Sequence, residues 1–198
     1  LSGRFHLNER PGCDPEIYDA VTLQVEMLTA LGVKTFVLTN AAGSLVEEHP
    51  VGSLVIAKGM LTLFAPPLPL YGGEFYPICD LLRAGLQDLA LHSVPSGLAA
   101  NSGVYAMVRG PHFEGIIDKM ALVLFKATVV GMSTVPELAG VAATGGAKAE
   151  VVAVTLVTNN ATEPHAHETN VARVKEKAPL LAIFLQNLAA GNPARDHN

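Results

Sequence analysis

The residues best suited to chemistry stand where apolar runs stop. Thr39-Asn40-Ala41-Ala42-Gly43-Ser44 continues the run KTFVL, and its small side chains let backbone N–H groups approach an anion, as anion-binding turns require. Ser133-Thr134 follows Val129–Met132 and precedes Pro136-Glu137. A hydroxyl there either caps the coming helix or, with the free N–H groups, holds an anion. Thr158-Asn159-Asn160 ends the longest strand-like run, and an amide at that point serves a turn or donates and accepts toward a heterocycle. In Gly110-Pro111-His112-Phe113-Glu114 a carboxylate directly follows an aromatic ring. Taken alone, Glu114 reads as an exposed first-turn glutamate facing a helix dipole. Arg4-Phe5-His6, if extended, turns a permanent cation and a titratable donor the same way, which suits an oxyanion or plain surface decoration.

Other chemistries lack their signatures. There is no G-x-G-x-x-G opening a helix, no G-x-x-x-x-G-K-[ST] and no G-x-S-x-G. His165 and His167 bracket Ala166 without the further ligands that zinc requires, so no metal site is expected. The 198 residues carry 13 Lys+Arg against 18 Asp+Glu, a formal charge of −5, which argues against nucleic acid as the main partner. With 49% hydrophobic and only 16% charged residues, against an average near 25% charged, the chain is neither disordered nor poor in material to bury. No apolar run reaches the roughly 20 residues of a membrane span. Cys13 and Cys79 stand in no metal or redox spacing, and a reduced, cytoplasmic setting is expected.

Short β-branched runs alternate with helical ones, the pattern of an α/β domain. Asp14-Pro15-Glu16 opens a helix that Gly32 ends. Strands are expected at Lys34–Thr39, Ser53–Lys58, Val104–Val108, Val129–Met132 and Glu150–Val157. Helices are expected at Asp80–Leu91, Phe113–Ala127, Pro136–Ala143 and, interrupted by Pro179, Thr169–Ala189. The Pro- and Gly-rich segment Ala65–Pro77 reads as a long loop. A single domain over residues 1–198 is the economical organisation.

In chain order, the motifs resemble the trimeric purine nucleoside phosphorylase family, which includes inosine/guanosine and xanthosine phosphorylases. The matching segments are GRFH (Gly3–His6), TNAAGSL (Thr39–Leu45), YAMVRGPHFE (Tyr105–Glu114), VGMSTVPE (Val130–Glu137) and LVTN (Leu156–Asn159). The resemblance implies a phosphorylase/hydrolase-like α/β fold, a mixed, barrel-like sheet with flanking helices, normally a homotrimer. It implies phosphorolysis of purine (deoxy)ribonucleosides in purine salvage, with inorganic phosphate as co-substrate, no other cofactor and a preference for 6-oxopurines.

By that resemblance Arg4, His6, the Ala41 N–H and Ser133 hold phosphate, and Glu9 orients the Arg4/His6 pair. Glu114 accepts from the base N–H, and Asn159 donates toward N7 and O6 as the leaving purine gains charge. Phe113 packs on the base, Tyr105 and Met132 lie against the ribose, and Phe75 is lent to a neighbouring subunit's site. His167, rather than His165, is the expected partner of the 5′-hydroxyl.

The chain departs from the family pattern in places. The segment expected before GRFH, with its Gly/Ser phosphate loop and a histidine, does not precede it here. Asn8 stands for a tyrosine, Gly59-Met60 for Asp-His, and Met120 for an arginine. A chain lacking its leading piece is therefore expected, with surplus apolar surface at a trimer interface or an uncovered face. A non-catalytic, purine-binding relative is the alternative.

Overall fold

The computed structural model describes residues 15–65, 75–145, 148–160 and 167–191, and the side chains of all but 15–19 and 167–168 among them. Helix α1 spans Pro15–Ala30. Gly32 ends it at φ +88°, where a side chain would be strained, and Val33 N–H reaches back to the Leu28 carbonyl. Strands β1 (Thr35–Ser44) and β2 (Leu54–Leu61) follow, then a 3-10 turn at Cys79–Leu81 and helix α2 (Ala84–His92). The chain continues through β3 (Ala100–Met107), α3 (Ile116–Leu124), β4 (Val129–Gly131), α4 (Val135–Gly145), β5 (Glu150–Asn160) and α5 (His167–Ala189).

The five strands close into a barrel in the order β1-β4-β3-β2-β5. β1 and β5 run parallel, as do β2, β3 and β4, and the two groups meet antiparallel at β2/β5 and β1/β4. The expected mixed, barrel-like sheet is thus observed. Alternation along β5 divides the core. Val151, Ala153 and Val157 pack with α1 and α4, whereas Val152, Val154 and Leu156 pack with α2 and α5. Phe184 of α5 is wholly buried in that second cluster and fastens the helix to β2 and β5.

Several boundaries differ from the sequence expectation. TNAAGS is not a turn beyond the first strand: β1 runs through it, paired with β5 from Thr35 to Ser44, with a register shift between Ala42 and Gly43 where β5 skips Thr158. Small residues are tolerated in a strand that gains partners on both edges. The expected helix at Asp80–Leu91 is split, because Arg83 takes an extended conformation ahead of α2. α3 starts at Ile116 rather than Phe113, since the Asp118 carboxylate takes the Gly115 N–H at 3.0 Å and sets the helix start there. Pro179 lies inside one continuous α5 instead of interrupting it. Residues 66–74, most of the expected long loop, lie outside the described residues.

Helix α3 is apolar on both sides. Leu122 is buried against Ala106, Ala127 and Val130. Away from it, Ile116, Ile117, Met120, Val123 and Leu124 form an exposed stripe, up to 80% exposed at Leu124. An exposed apolar stripe beside the polar pair Asp118 and Lys119 marks a face suited to a contact.

Two glycines make room for closure. A Cβ on Gly43 would lie 2.8 Å from the Asn159 side-chain nitrogen. On Gly131 it would collide with the Tyr105 hydroxyl. Gly131→Ala should therefore cost about 1–3 kcal/mol of stability, as overpacking does. The denaturant midpoint measures it, and an unchanged midpoint would mean that Tyr105 moves aside freely.

Candidate active site

The site grows from the end of β4. After Gly131 the chain turns through Met132 and Ser133 to Thr134, which has φ +77°. That left-handed conformation is rare for a β-branched residue, and such residues persist only where their surroundings hold them. Here two strands do so. From β1, the Asn40 amide donates to the Thr134 hydroxyl at 2.9 Å. From β3, the Tyr105 hydroxyl donates to the Ser133 carbonyl at 3.1 Å and lies 3.3 Å from the Ser133 N–H. The Ser133 hydroxyl is thereby set before the first turn of α4, with the Thr134 hydroxyl 3.4 Å away. Backbone N–H groups and a hydroxyl at a helix start form a ready anion site.

Tyr105 is fully buried and holds this turn in place. Met132 is half-buried, and Ala41 is exposed on the strand next to the turn.

The end of β5 forms the opposite side. Asn159 is 7% exposed and stands in register with Gly43, whose missing side chain admits the amide. The Thr158 hydroxyl lies 3.2 Å from the Asn159 amide oxygen and 3.4 Å from the Ala42 carbonyl. Gly43 also pairs with Val130 of β4. The Ser133 turn and Asn159 therefore follow from the two strands that flank this one residue, β4 antiparallel and β5 parallel to β1.

Glu114 lies in a cavity of about 230 Å3, with Phe64, Arg109, His112, Asp118 and Leu122 among its lining. It precedes α3 instead of occupying its first turn. Burial pushes its carboxyl pKa up, against the pull of a backbone hydrogen bond and nearby Lys119. Neither Ser133, Met132 nor Asn159 lines that cavity. Phe113 is 38% exposed beside it in sequence, and Phe75 is fully exposed.

Arg4, His6, Glu9 and His165 lie outside the described residues, as does the His167 side chain. Among the described residues, no group of three or more His, Cys, Asp or Glu could hold a metal ion. No described helix is long and apolar enough to cross a membrane.

Three supporting residues escaped the sequence reading: Asn40, Arg109 and Arg173. Asn40 carried a signal, a polar residue in the midst of an apolar strand. Arg109 stood in a polar loop beside Glu114. Arg173, on α5, donates to the Thr158 carbonyl from 15 residues away, and no local pattern announces it.

Comparison with known proteins places the chain in a family. Residues 10–191 match the Phosphorylase superfamily. The chain is 38% identical over 194 residues to the purine nucleoside phosphorylase of Mycobacterium tuberculosis, covering 96% of this chain and 68% of that protein. It is 30% identical over 216 residues to that of Bos taurus, covering 100% and 72%. Among solved structures, the Schistosoma mansoni purine nucleoside phosphorylase in complex with inosine superposes with a TM-score of 0.81 at 28% identity, covering 98% of this chain and 72% of that one. With this fold, these strand-end motifs and this identity over about two thirds of its relatives' length, the chain belongs to the purine nucleoside phosphorylase family of the phosphorylase superfamily.

Proposed function

We propose that this chain, as one phosphorylase-like domain over residues 1–198, catalyses phosphorolysis of purine (deoxy)ribonucleosides to the free base and (deoxy)ribose 1-phosphate. The observation that carries the reading is the double pairing of Gly43, which sets the Ser133 turn and Asn159 on either side of one strand.

In this reading Ser133 and the Ala41 N–H, with Arg4 and His6, hold inorganic phosphate, the co-substrate, beneath the anomeric carbon. The sugar turns oxocarbenium-like as the glycosidic bond lengthens, while negative charge builds on the purine. Asn159 donates to that charge and Glu114 accepts from the base N–H, which favours 6-oxopurines over adenine. Phe113 packs on the base, Met132 lies against the ribose, Tyr105 supports that side by holding Ser133, and His167 meets the 5′-hydroxyl. Donors fixed before the reaction lower the barrier without reorganisation cost. No cofactor is required, and the setting is cytoplasmic.

We also read the chain as a homotrimer in which Phe75 reaches a neighbour's site. The exposed α3 stripe supports association, since contiguous apolar surface of this extent marks contact sites.

Purified protein should release hypoxanthine from inosine and guanine from guanosine only when phosphate is present, with adenosine a poor substrate. Release without phosphate, or none with it, would overturn the reading. Asn159→Ala and Glu114→Ala should each lower kcat/KM for inosine by about a hundred- to a thousand-fold. Unchanged turnover would remove that residue from the site.

Because burial raises the Glu114 pKa, its carboxylate is lost at higher pH than an ordinary glutamate's as pH falls. The acid limb of kcat/KM against pH should lie higher than an ordinary glutamate would place it. Glu114→Gln should erase that limb, and a limb that persists assigns it to another group.

Leu124→Arg, at the most exposed position of the stripe, should shift the sedimentation coefficient from trimer toward monomer. An unshifted trimer would exclude α3 from the interface.

A further inference from the structure

We infer that Thr158 and Arg173 are positioning residues for the Asn159 amide, a role that rests on the base-gripping assignment of Asn159 made above. Three contacts carry the inference. The Thr158 hydroxyl lies 3.2 Å from the Asn159 amide oxygen and 3.4 Å from the Ala42 carbonyl, and its single proton is assigned to the nearer amide. An amide whose oxygen is engaged there turns its NH2 group away from Thr158, and that NH2 is what a purine gaining charge at N7 and O6 requires. The Arg173 guanidinium, half-buried on α5, donates to the Thr158 carbonyl and ties the strand end that carries both side chains. A bond from a permanent cation to a carbonyl is stronger than a neutral one.

The surroundings make the tether necessary. Strand β5 loses its regular register with β1 at the bulge between Ala42 and Gly43, immediately before Asn159. Beyond that irregularity the ladder resumes for only two pairs, Gly43 with Asn159 and Ser44 with Asn160, so little of it holds the strand end. Arg173 supplies a second attachment from a helix that Phe184 anchors in the core. The strand end is thus fixed from β1 on one side and from α5 on the other.

Thr158 and Arg173 touch no substrate in this scheme; they act through Asn159. Thr158→Val should lower kcat for inosine about tenfold, the scale of one hydrogen bond, and leave KM for phosphate within about twofold. Thr158→Ser, which keeps the hydroxyl, should restore turnover. Arg173→Ala should lower kcat in the same manner, and Arg173→Lys should recover part of it. The deciding measurement is coupling: Thr158→Val combined with Asn159→Ala should be no slower than Asn159→Ala alone.

Losses that multiply in the double variant, or an equal rise in KM for phosphate, would overturn the positioning role. Should Thr158→Val not fold, Arg173→Ala carries the same coupling test, because that side chain is only half-buried. If Asn159→Ala itself retains full activity, the base-gripping assignment fails first. If it is inactive while Thr158→Val and Arg173→Ala match the wild type, the positioning inference alone fails.

Discussion

Gly43 is the point on which this structure turns. It pairs with Val130 on one edge and with Asn159 on the other, so the same residue both closes the barrel and spaces the two halves of the site. The space that a side chain would fill is taken by the Asn159 amide, 2.8 Å from where a Cβ would stand. A larger residue would have to push away either the amide or the strand. β1 meets β4 through only two residue pairs, Gly43 with Val130 and Ser44 with Val129, so closure tolerates little displacement there.

Around this closure the fold stores a small amount of strain. A left-handed Thr134 costs on the order of 1–3 kcal/mol. The hydrogen bonds from Asn40 and Tyr105 that hold the turn contribute about 1 kcal/mol each, so cost and support are of one size. The balance leaves the Ser133 hydroxyl in a defined place without depending on a ligand to order it. Rigid strands, rather than loops, carry both the turn and Asn159, which limits how far either can drift. Pre-set donors of this kind favour a transition state over a ground state.

Glu114 is held differently. It sits in a loop between β3 and α3, in a cavity bounded partly by α3 itself, and burial rather than a partner charge dominates its titration. The helix beside it is apolar on its outer face as well as its inner one. Covering that outer face would tie the position of the cavity wall to association of the chain. This gives part of the 49% apolar composition a specific address.

Much of the fold was legible because periodicity is local: Pro15 and Gly32 bracket α1, and the apolar runs of β2, β4 and β5 are strands. The order of the motifs marks Ser133, Glu114 and Asn159 as candidates only through their resemblance to a known family, since each taken alone reads as a cap, a first-turn glutamate or a turn residue. The sequence could not tell that TNAAGS is strand, because that depends on edges offered by β4 and β5. Nor could it tell that Tyr105 holds the Ser133 turn, that Asn40 clamps Thr134, or that Arg173 reaches Thr158. Those contacts join residues 15 to 94 positions apart. Residue types and their spacing along the chain determined which groups could do chemistry. Only closure of the barrel decided which of them meet, because hydrogen bonds form between strands that are neighbours in space, not in sequence.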